Sequence, residues 1–152
     1  MQAFRRLPVW QDAHALALDL YQATGAFPPA ERFGQTAPLR RRAASTAANL
    51  AEGYGRGTDA DVARFVQYAL GSNAETRYHL LLAHDLGWLS PERHAALDGP
   101  CERVGRQLNA FLRHLRAGGR TGQEELLTAT VNGQPSTVNR QPSTVNLSSA
   151  PA

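Results

Sequence analysis

Two side chains of the types that bind metals lie one helical turn apart, at Glu75 and His79. A carboxylate and an imidazole at this spacing share one face of a helix and can hold a divalent cation together. Di-iron sites in helical bundles use Glu-x-x-His on paired helices, and the sequence contains no Glu-x-x-His. We therefore expect no metal site and interpret the two residues as a surface or interface pair. The other histidines have no ligand-like spacing: His14, His84, His94 and His114.

The side chains that could act as nucleophiles lack identifiable partners. Cys101 falls on the apolar seam of a predicted helix, where a cysteine is usually a small buried core residue. Ser45, Ser72 and Ser90 have no His and Asp partners that the sequence can place. We expect no catalytic residues and no cofactor, and predict that the protein is not an enzyme. The alternative is a small enzyme or cofactor carrier with its site in the core of a helical bundle.

The glycine-rich run from Gly53 to Gly57 has the composition of a phosphate-binding loop. A dinucleotide fingerprint needs G-x-G-x-x-G after a strand, and a P-loop needs G-x-x-x-x-G-K-[ST]. The run has neither spacing and follows a helical pattern, so we interpret it as a flexible turn that ends one helix before the next begins.

All 16 basic residues are arginine, and the formal net charge is +3. A GC-rich coding sequence would explain this, as would a phosphate-binding surface, because the guanidinium carries five donors in a planar fork. Residues 32–57 carry five arginines against Glu52, a net of +4, whereas residues 58–89 carry −2 and residues 90–117 carry +2. Such opposed charges could pair between subunits. In a monomer they would form a plain solvated surface. The hypothesis with functional content is that the basic segment contacts phosphates of RNA or DNA, through Arg40, Arg41, Arg42 and Arg56.

Apolar residues recur at helical spacing through most of the first 117 positions. Thr58 and Ser90 are suited to be N-caps, and Gly87 to end a helix. Gly99 and Pro100 are expected to interrupt the fourth helix, because proline lacks an amide donor and its ring clashes with the preceding turn. Four helices with short connections predict an all-α fold, an antiparallel up-down-up-down four-helix bundle. The predicted helices cover about residues 9–24, 35–54, 58–86, 91–98 and 100–117.

Composition divides the 152 residues into a body at 1–117 and a tail at 118–152. The tail has two Arg against two Glu, no aromatic residue, and a seven-residue repeat that begins at Gln134 and again at Gln141. Each repeat holds a proline and one aliphatic side chain, which excludes a coiled coil. A polar segment of this kind cannot offset its ordering entropy. We therefore predict one folded domain followed by a low-complexity, disordered tail.

The sequence offers no candidate for a membrane span or a secretion signal. The longest apolar run near the middle, Leu80–Ala83, is far shorter than the ~20 residues that span a bilayer. The N-terminal MQAFRRLPVW has a basic pair without the apolar stretch of a signal peptide. One cysteine allows no intramolecular disulfide. We expect a cytoplasmic protein without membrane contact, held together by packing.

Several short motifs occur in a fixed order between residues 4 and 117. Together they resemble the bacterial four-helix bundle family named for open reading frames in 23S rRNA intervening sequences. The accessory variability proteins of diversity-generating retroelements are similar to the same family. The motifs are F-R-R-L-P-V-W from Phe4, F-P from Phe27, E-R-F-G from Glu31, L-R-R from Leu39, N-L-A-E-G-Y-G-R from Asn49, A-L-G-S from Ala69 with Glu75, and L-G-W-L from Leu86.

This resemblance implies a four-helix protomer that assembles into a ring-like homopentamer and has no known catalytic activity. For the retroelement relatives it also implies a basic surface that contacts nucleic acid and a reverse transcriptase. Characteristic polar and glycine positions of the family match Asn49, Glu52, Gly53, Gly55, Arg56, Ser72 and Glu75.

Four of these polar positions are expected to be structural. Asn49 and Glu52 fall on the half of the second helix that adjoins Ser72 and Glu75 on the third. Hydrogen bonds buried between two helices can fix their register. We therefore expect these four residues to set how the second and third helices pack.

Overall fold

A computed structural model describes residues 3–119 of the chain. Long α-helices account for most of this part, which contains no strand. Short 3₁₀ turns lie at Ala3–Arg6, Thr24–Ala26 and Pro29–Glu31, and a π-helical turn at Arg32–Thr36 leads directly into the second long helix. The long helices are α1 (Pro8–Ala23), α2 (Ala37–Arg56), α3 (Asp59–Asp85) and α4 (Pro91–Arg116).

The four long helices form the antiparallel up-down-up-down bundle that the sequence predicts. Each packs against the next along the chain, and α1 also packs against α4, which closes the bundle. Short connections, such as the two residues between α2 and α3, force consecutive helices to run in opposite directions. The all-α fold class is confirmed. In this arrangement α1 and α3 lie diagonally opposite each other.

Aliphatic side chains at helical spacing build the core. Leu20 of α1, Leu50 of α2, Leu80 of α3 and Leu108 of α4 are fully buried, together with Phe111. Full burial of each such side chain contributes about 1.5–3 kcal/mol. Packing of these faces, more than intrinsic helix propensity, therefore stabilises the bundle.

Polar caps and a glycine define the ends of the last two helices. Thr58 Oγ1 accepts a hydrogen bond from the backbone N–H of Asp61 at 3.1 Å, and Ser90 Oγ accepts one from Arg93 at 3.1 Å. Gly87, just beyond α3, has a φ of 78°, a left-handed conformation that favours glycine. The predicted helix starts near Thr58 and Ser90, and the predicted end at Gly87, are confirmed.

The glycine run does not form the turn that the sequence predicts. Gly53 and Gly55 are helical residues of α2, and Gly57 is the glycine that turns the chain, with a φ of 81°. A Cβ placed on Gly53 would lie 2.8 Å from Cβ of Phe65. Glycine at this position therefore allows α3 to approach α2 closely, and that packing offsets its weak helix propensity.

α4 continues through Pro100, so the break predicted there is wrong. Contacts from α3 hold the helix on both sides of the proline. Arg77 donates two hydrogen bonds to the carboxylate of Asp98, at 2.7 and 2.8 Å, and Asn73 Nδ2 donates to the carbonyl oxygen of Cys101 at 3.0 Å. The hydrogen bond from Arg77 also lowers the pKa of Asp98. These contacts and the buried apolar face outweigh the cost of a proline inside a helix, about 3 kcal/mol.

The predicted tail begins just beyond α4, where Gly118 turns the backbone with a φ of 84°. From residue 120 onward it lies outside the described residues. Between residues 3 and 119, no helix is both long enough and apolar enough to cross a membrane.

Candidate functional site

The four arginines predicted to contact phosphates occupy two separate places on α2. Arg40, Arg41 and Arg42 lie in its first two turns, and Arg56 is its last residue. With a rise of about 1.5 Å per residue, the two places are roughly 20 Å apart. The structure thus places three of the predicted residues at one end of α2, where Arg40 and Arg41 share a groove and Arg42 does not, and leaves the fourth at the far end of the helix.

Arg40 joins the end of α1 to the beginning of α2. Its Nε donates a hydrogen bond to Thr24 Oγ1 at 2.7 Å, and its Nη2 donates to the carbonyl oxygen of Tyr21 at 3.1 Å. The guanidinium also lies 4.8 Å from the centre of the Tyr21 ring, a cation–π contact. A cation near the last turn of α1 interacts favourably with its dipole. Arg40 therefore has a structural role and still contributes positive charge to this end of the bundle.

Arg42 and Arg56 each hold a carboxylate. Arg42 Nε lies 2.6 Å from Oε2 of Glu75, across the interface of α2 and α3. Arg56 Nη2 lies 2.7 Å from Oε1 of Glu52, four residues earlier on the same helix. All four side chains are roughly half exposed, so solvent screens both ion pairs and each adds little to the stability of the fold. Each pair is electrically neutral as a unit, which weakens its attraction for a phosphate.

Arg41 lines an open groove of about 360 Å³. The groove lies between the end of α1, the π-helical turn and the first turns of α2. Within residues 3–119, neither Arg41 nor Arg32 forms an ion pair with a carboxylate. We refer to this groove as the arginine–aromatic groove. Its lining residues are Tyr21, Arg32, Phe33, Thr36, Ala37, Arg40 and Arg41.

Phe33 presents an aromatic ring to solvent in this groove. Phe33 is 83% exposed, against 48% for Tyr21, which also lines the groove. The guanidinium of Arg32 lies 5.6 Å from the centre of the Phe33 ring. Phe33 was not predicted as a site residue. One feature of the sequence could have identified it: Phe33 is an aromatic residue that follows an arginine and lies outside the apolar stripes of the predicted helices.

A partly buried hydrogen-bonded clamp between the π-helical turn and α3 positions the groove. Gln35 is 5% exposed; its Nε2 donates to the carbonyl oxygen of His79 at 3.1 Å, and its Oε1 accepts from His79 Nδ1 at 2.9 Å. Burial lowers the pKa of His79; Glu75 opposes this shift and Arg42 adds to it. The imidazole is therefore neutral at pH 7 and serves as a fixed hydrogen-bond partner. This clamp anchors the turn that carries Phe33.

Glu75 and His79, the pair weighed as metal ligands, face different partners. The Glu75 carboxylate pairs with Arg42, and the His79 imidazole bonds to Gln35. In the described part of the chain, no three His, Cys, Asp or Glu side chains are arranged to hold a metal ion. The two residues connect α3 to α2 and to the π-helical turn.

A polar network crosses the interface of α2 and α3 at three of the positions expected to be structural. Ser72 Oγ donates to Ser45 Oγ at 3.0 Å, and Asn49 Nδ2 donates to that same oxygen at 3.1 Å. Glu75 adds its ion pair one turn further along α3. Glu52 lies apart from this network, because it is exposed and pairs with an arginine of its own helix.

A second groove, of about 390 Å³, lies between α3 and α4. Two of its charged residues, Arg77 and Asp98, neutralise each other through two hydrogen bonds. Tyr78 and Leu81 line it and are 61% and 48% exposed. This groove offers apolar surface rather than unpaired positive charge.

Cys101 is fully buried in the core, as the sequence predicts. Burial raises the pKa of its thiol to about 12, and the neighbouring Asp98 acts in the same direction. The thiolate is the nucleophilic form of cysteine. At neutral pH the thiol is protonated, so it cannot serve as a nucleophile in this conformation.

Residues 5–110 match a family model described as 23S rRNA-intervening sequence protein. The match extends from the turn before α1 into α4. It includes every residue that lines the arginine–aromatic groove. None of the curated proteins compared with the chain matches it.

Proposed function

This chain belongs to the 23S rRNA-intervening sequence protein family, and we propose that it is a non-enzymatic four-helix bundle that binds nucleic acid through the arginine–aromatic groove. One observation carries the proposal: Arg32, Arg40 and Arg41 line a single groove with an exposed phenylalanine. Guanidinium groups bind phosphates through paired hydrogen bonds, and aromatic rings stack on bases.

The charge around the groove favours an anionic ligand. Its three arginines form no ion pair with a carboxylate in the part of the chain that the structure describes, whereas Arg103 and Arg106 on α4 both do. Each phosphate that such an arginine contacts releases condensed counterions. The affinity should therefore fall as the salt concentration rises.

Arg42 and Arg56 remain predicted phosphate contacts, with a smaller share of the binding free energy. Each already holds a carboxylate. A phosphate would have to compete with that carboxylate or bind beside it, at the cost of like-charge repulsion. Arg56 is also distant from the groove, so a ligand must extend along α2 to reach it.

We further propose that the protein forms a homo-oligomer, the ring-like pentamer that its resemblance implies. Large apolar side chains on two helices support an interface: Leu18 on α1 is 54% exposed, and Tyr78 and Leu81 on α3 are 61% and 48% exposed. Contiguous exposed apolar surface commonly marks a site of association. A reverse transcriptase partner rests on the resemblance to retroelement proteins alone, and a cytoplasmic location rests on the sequence alone.

A site in the bundle core, as in a small enzyme or cofactor carrier, is the alternative function. The core of the described residues is built mainly from aliphatic and aromatic side chains, with a few buried hydroxyl and amide groups such as those of Thr76, Asn73 and Gln107, and its one thiol is protonated. Both grooves described above open to solvent. These observations favour surface binding over catalysis.

Binding is tested by removing the two groove arginines that have no structural hydrogen bonds. The full chain is titrated against labelled single-stranded RNA and DNA by fluorescence anisotropy over a range of salt concentrations. The double variant Arg32→Gln, Arg41→Gln should bind more weakly. Its slope of log affinity against log salt should be smaller by about 1.4, since each contact with a single-strand phosphate contributes about 0.7.

A matched control removes the same charge elsewhere. The variant Arg103→Gln, Arg106→Gln loses two arginines whose carboxylate partners lie on α1 and α4, and its salt slope should stay that of the wild type. Arg42→Gln with Arg56→Gln should give a smaller loss than the groove variant. No binding at low salt, or equal losses in the groove and α4 variants, would contradict the proposal.

A further inference from the structure

We propose that the arginine–aromatic groove selects single-stranded over double-stranded nucleic acid, by stacking an unpaired base on Phe33. This inference rests on the proposed function, because it specifies which form of nucleic acid the groove takes. It goes beyond that function because phosphate contacts alone do not favour a single strand.

The backbone that carries Phe33 is anchored for such a contact. It belongs to the π-helical turn Arg32–Thr36, a rare element that often occurs at functional sites. Gln35 of the same turn is buried and bonds to both the ring and the backbone of His79 on α3. The ring is nevertheless 83% exposed. A base that stacks on it therefore meets a preorganised surface and does not have to order a loop.

Phe33, rather than Tyr21, has the ring available for stacking. Arg40 lies over the Tyr21 ring at 4.8 Å and is fixed there by its hydrogen bonds to the end of α1. Arg32 approaches Phe33 at 5.6 Å and leaves most of the ring exposed. Because Arg32 and Arg41 line the same groove, the phosphates next to a stacked base meet guanidinium groups.

Base stacking favours a single strand, whereas charge favours a duplex. The bases of a duplex are already stacked and paired, so a ring on a protein surface reaches a base face only after unstacking. A single strand exposes those faces, and aromatic residues bind them with little dependence on sequence. A duplex carries more phosphate charge per unit length and releases more counterions per contact. A preference for the single strand therefore measures base stacking on Phe33 and not the charge of the arginines.

A protein surface is the rival occupant of this groove. The groove is lined by three arginines, and Glu31 is the acidic residue next to them in the sequence. The net charge is therefore positive, which suits a polyanion. The groove between α3 and α4 is better suited to a protein surface, because its Arg77 and Asp98 neutralise each other and its tyrosine and leucine are exposed.

The test compares Phe33→Ala with wild type on two probes, a labelled single-stranded oligonucleotide and the duplex of the same length and sequence. Wild type should bind the single strand more tightly than the duplex. Phe33→Ala should weaken single-strand binding about tenfold, within the range measured for the loss of one base–aromatic stack. Its duplex affinity and its salt slope should be unchanged, because no charge is removed.

Tyr68→Ala is the matched control. It removes a 52% exposed aromatic ring from α3, outside both grooves and the proposed interface, and should leave both affinities unchanged. Phe33→Trp should retain single-strand preference, and its added tryptophan fluorescence should be quenched by the single strand and not by the duplex.

The outcomes separate this inference from the proposed function. Failure of wild type to bind either probe would contradict the proposed function itself. Binding with a preference for the duplex, or a Phe33→Ala affinity equal to that of wild type, would overturn only the single-strand inference. A changed oligomeric mass in Phe33→Ala with unchanged single-strand affinity would assign the ring to a protein interface and would overturn the inference too.

Discussion

The chemistry of Cys101 is decided by its surroundings and not by its residue type. The side chain lies in the core on the buried face of α4. Burial raises the pKa of the thiol from 9.0 to about 12, which lowers the thiolate fraction near neutral pH by roughly a thousandfold. Since the thiolate is the reactive form, the folded protein should keep its one cysteine inert.

Thiol labelling tests this state. We expect a disulfide reagent such as DTNB to modify native Cys101 at least a thousandfold more slowly than the unfolded chain at the same pH, because both the thiolate fraction and access are reduced. Addition of urea should restore fast labelling at the unfolding transition. Cys101→Ser should show no labelling in either state. Fast labelling of the native protein would mean that the face of α4 carrying Cys101 is not packed as described.

Neighbouring arginines on α2 acquire different roles from partners that lie far away in the sequence. Arg42 pairs with Glu75 of α3, whereas Arg41 lines the groove beside Phe33. A charge sum over residues 32–57 treats the two alike, so the sequence predicted a basic segment without identifying which guanidinium groups are unpaired. Phe33 was missed for the same reason, because its exposure depends on how the π-helical turn packs.

At the scale of the elements, Gly53 sets how closely α2 and α3 approach. A Cβ on Gly53 would lie 2.8 Å from Cβ of Phe65 and 3.4 Å from the backbone of Val62. Neither atom is the flexible end of a side chain, so the helices would have to move apart. Gly55 is also helical but has open space around it, with no atom within 4 Å of an added Cβ.

Alanine at these two glycines should therefore have effects of opposite sign on stability. Gly53→Ala should lower the free energy of unfolding by about 1–2 kcal/mol, because overpacking exceeds the gain in helix propensity. Gly55→Ala should raise it by about 0.5–1 kcal/mol through propensity alone. Urea unfolding monitored by circular dichroism measures both. Stabilisation by both substitutions would contradict the close approach of the two helices.

Helix positions could be predicted from the sequence, but the consequences of glycine and proline within them could not. The apolar period of 3 to 4 residues and the caps at Thr58 and Ser90 depend on local chemistry, and these predictions are confirmed. Gly53 and Pro100 were misread as a turn and a break because local propensity disfavours them in a helix. In the fold, α3 packs against both positions and makes helix the stable conformation.

At the scale of the whole molecule, the exposed apolar side chains of α1 and α3 face different ways. The two helices lie diagonally opposite each other in the bundle, so Leu18 and Leu81 are on opposite sides of the protomer. A self-complementary interface uses the same face of both copies, so one such interface cannot bury both Leu18 and Leu81. They can form a head-to-tail interface in which α1 of one copy meets α3 of the next, and such contacts close into rings. The proposed pentamer is consistent with this arrangement.

A charge placed on either face should therefore dissociate the proposed ring. Leu18→Glu and Leu81→Glu should each shift the mass measured by light scattering from five protomers to one, because a buried, unpaired carboxylate is strongly unfavourable at an apolar interface.

Leu86→Glu is the matched control: Leu86 is 51% exposed but lies just beyond the last turn of α3, and the variant should keep the mass of the ring. Circular dichroism should show all three variants folded. A wild-type mass of one protomer at micromolar concentration would refute the pentamer, and a ring dissociated by Leu86→Glu but not by Leu18→Glu would place its interface elsewhere.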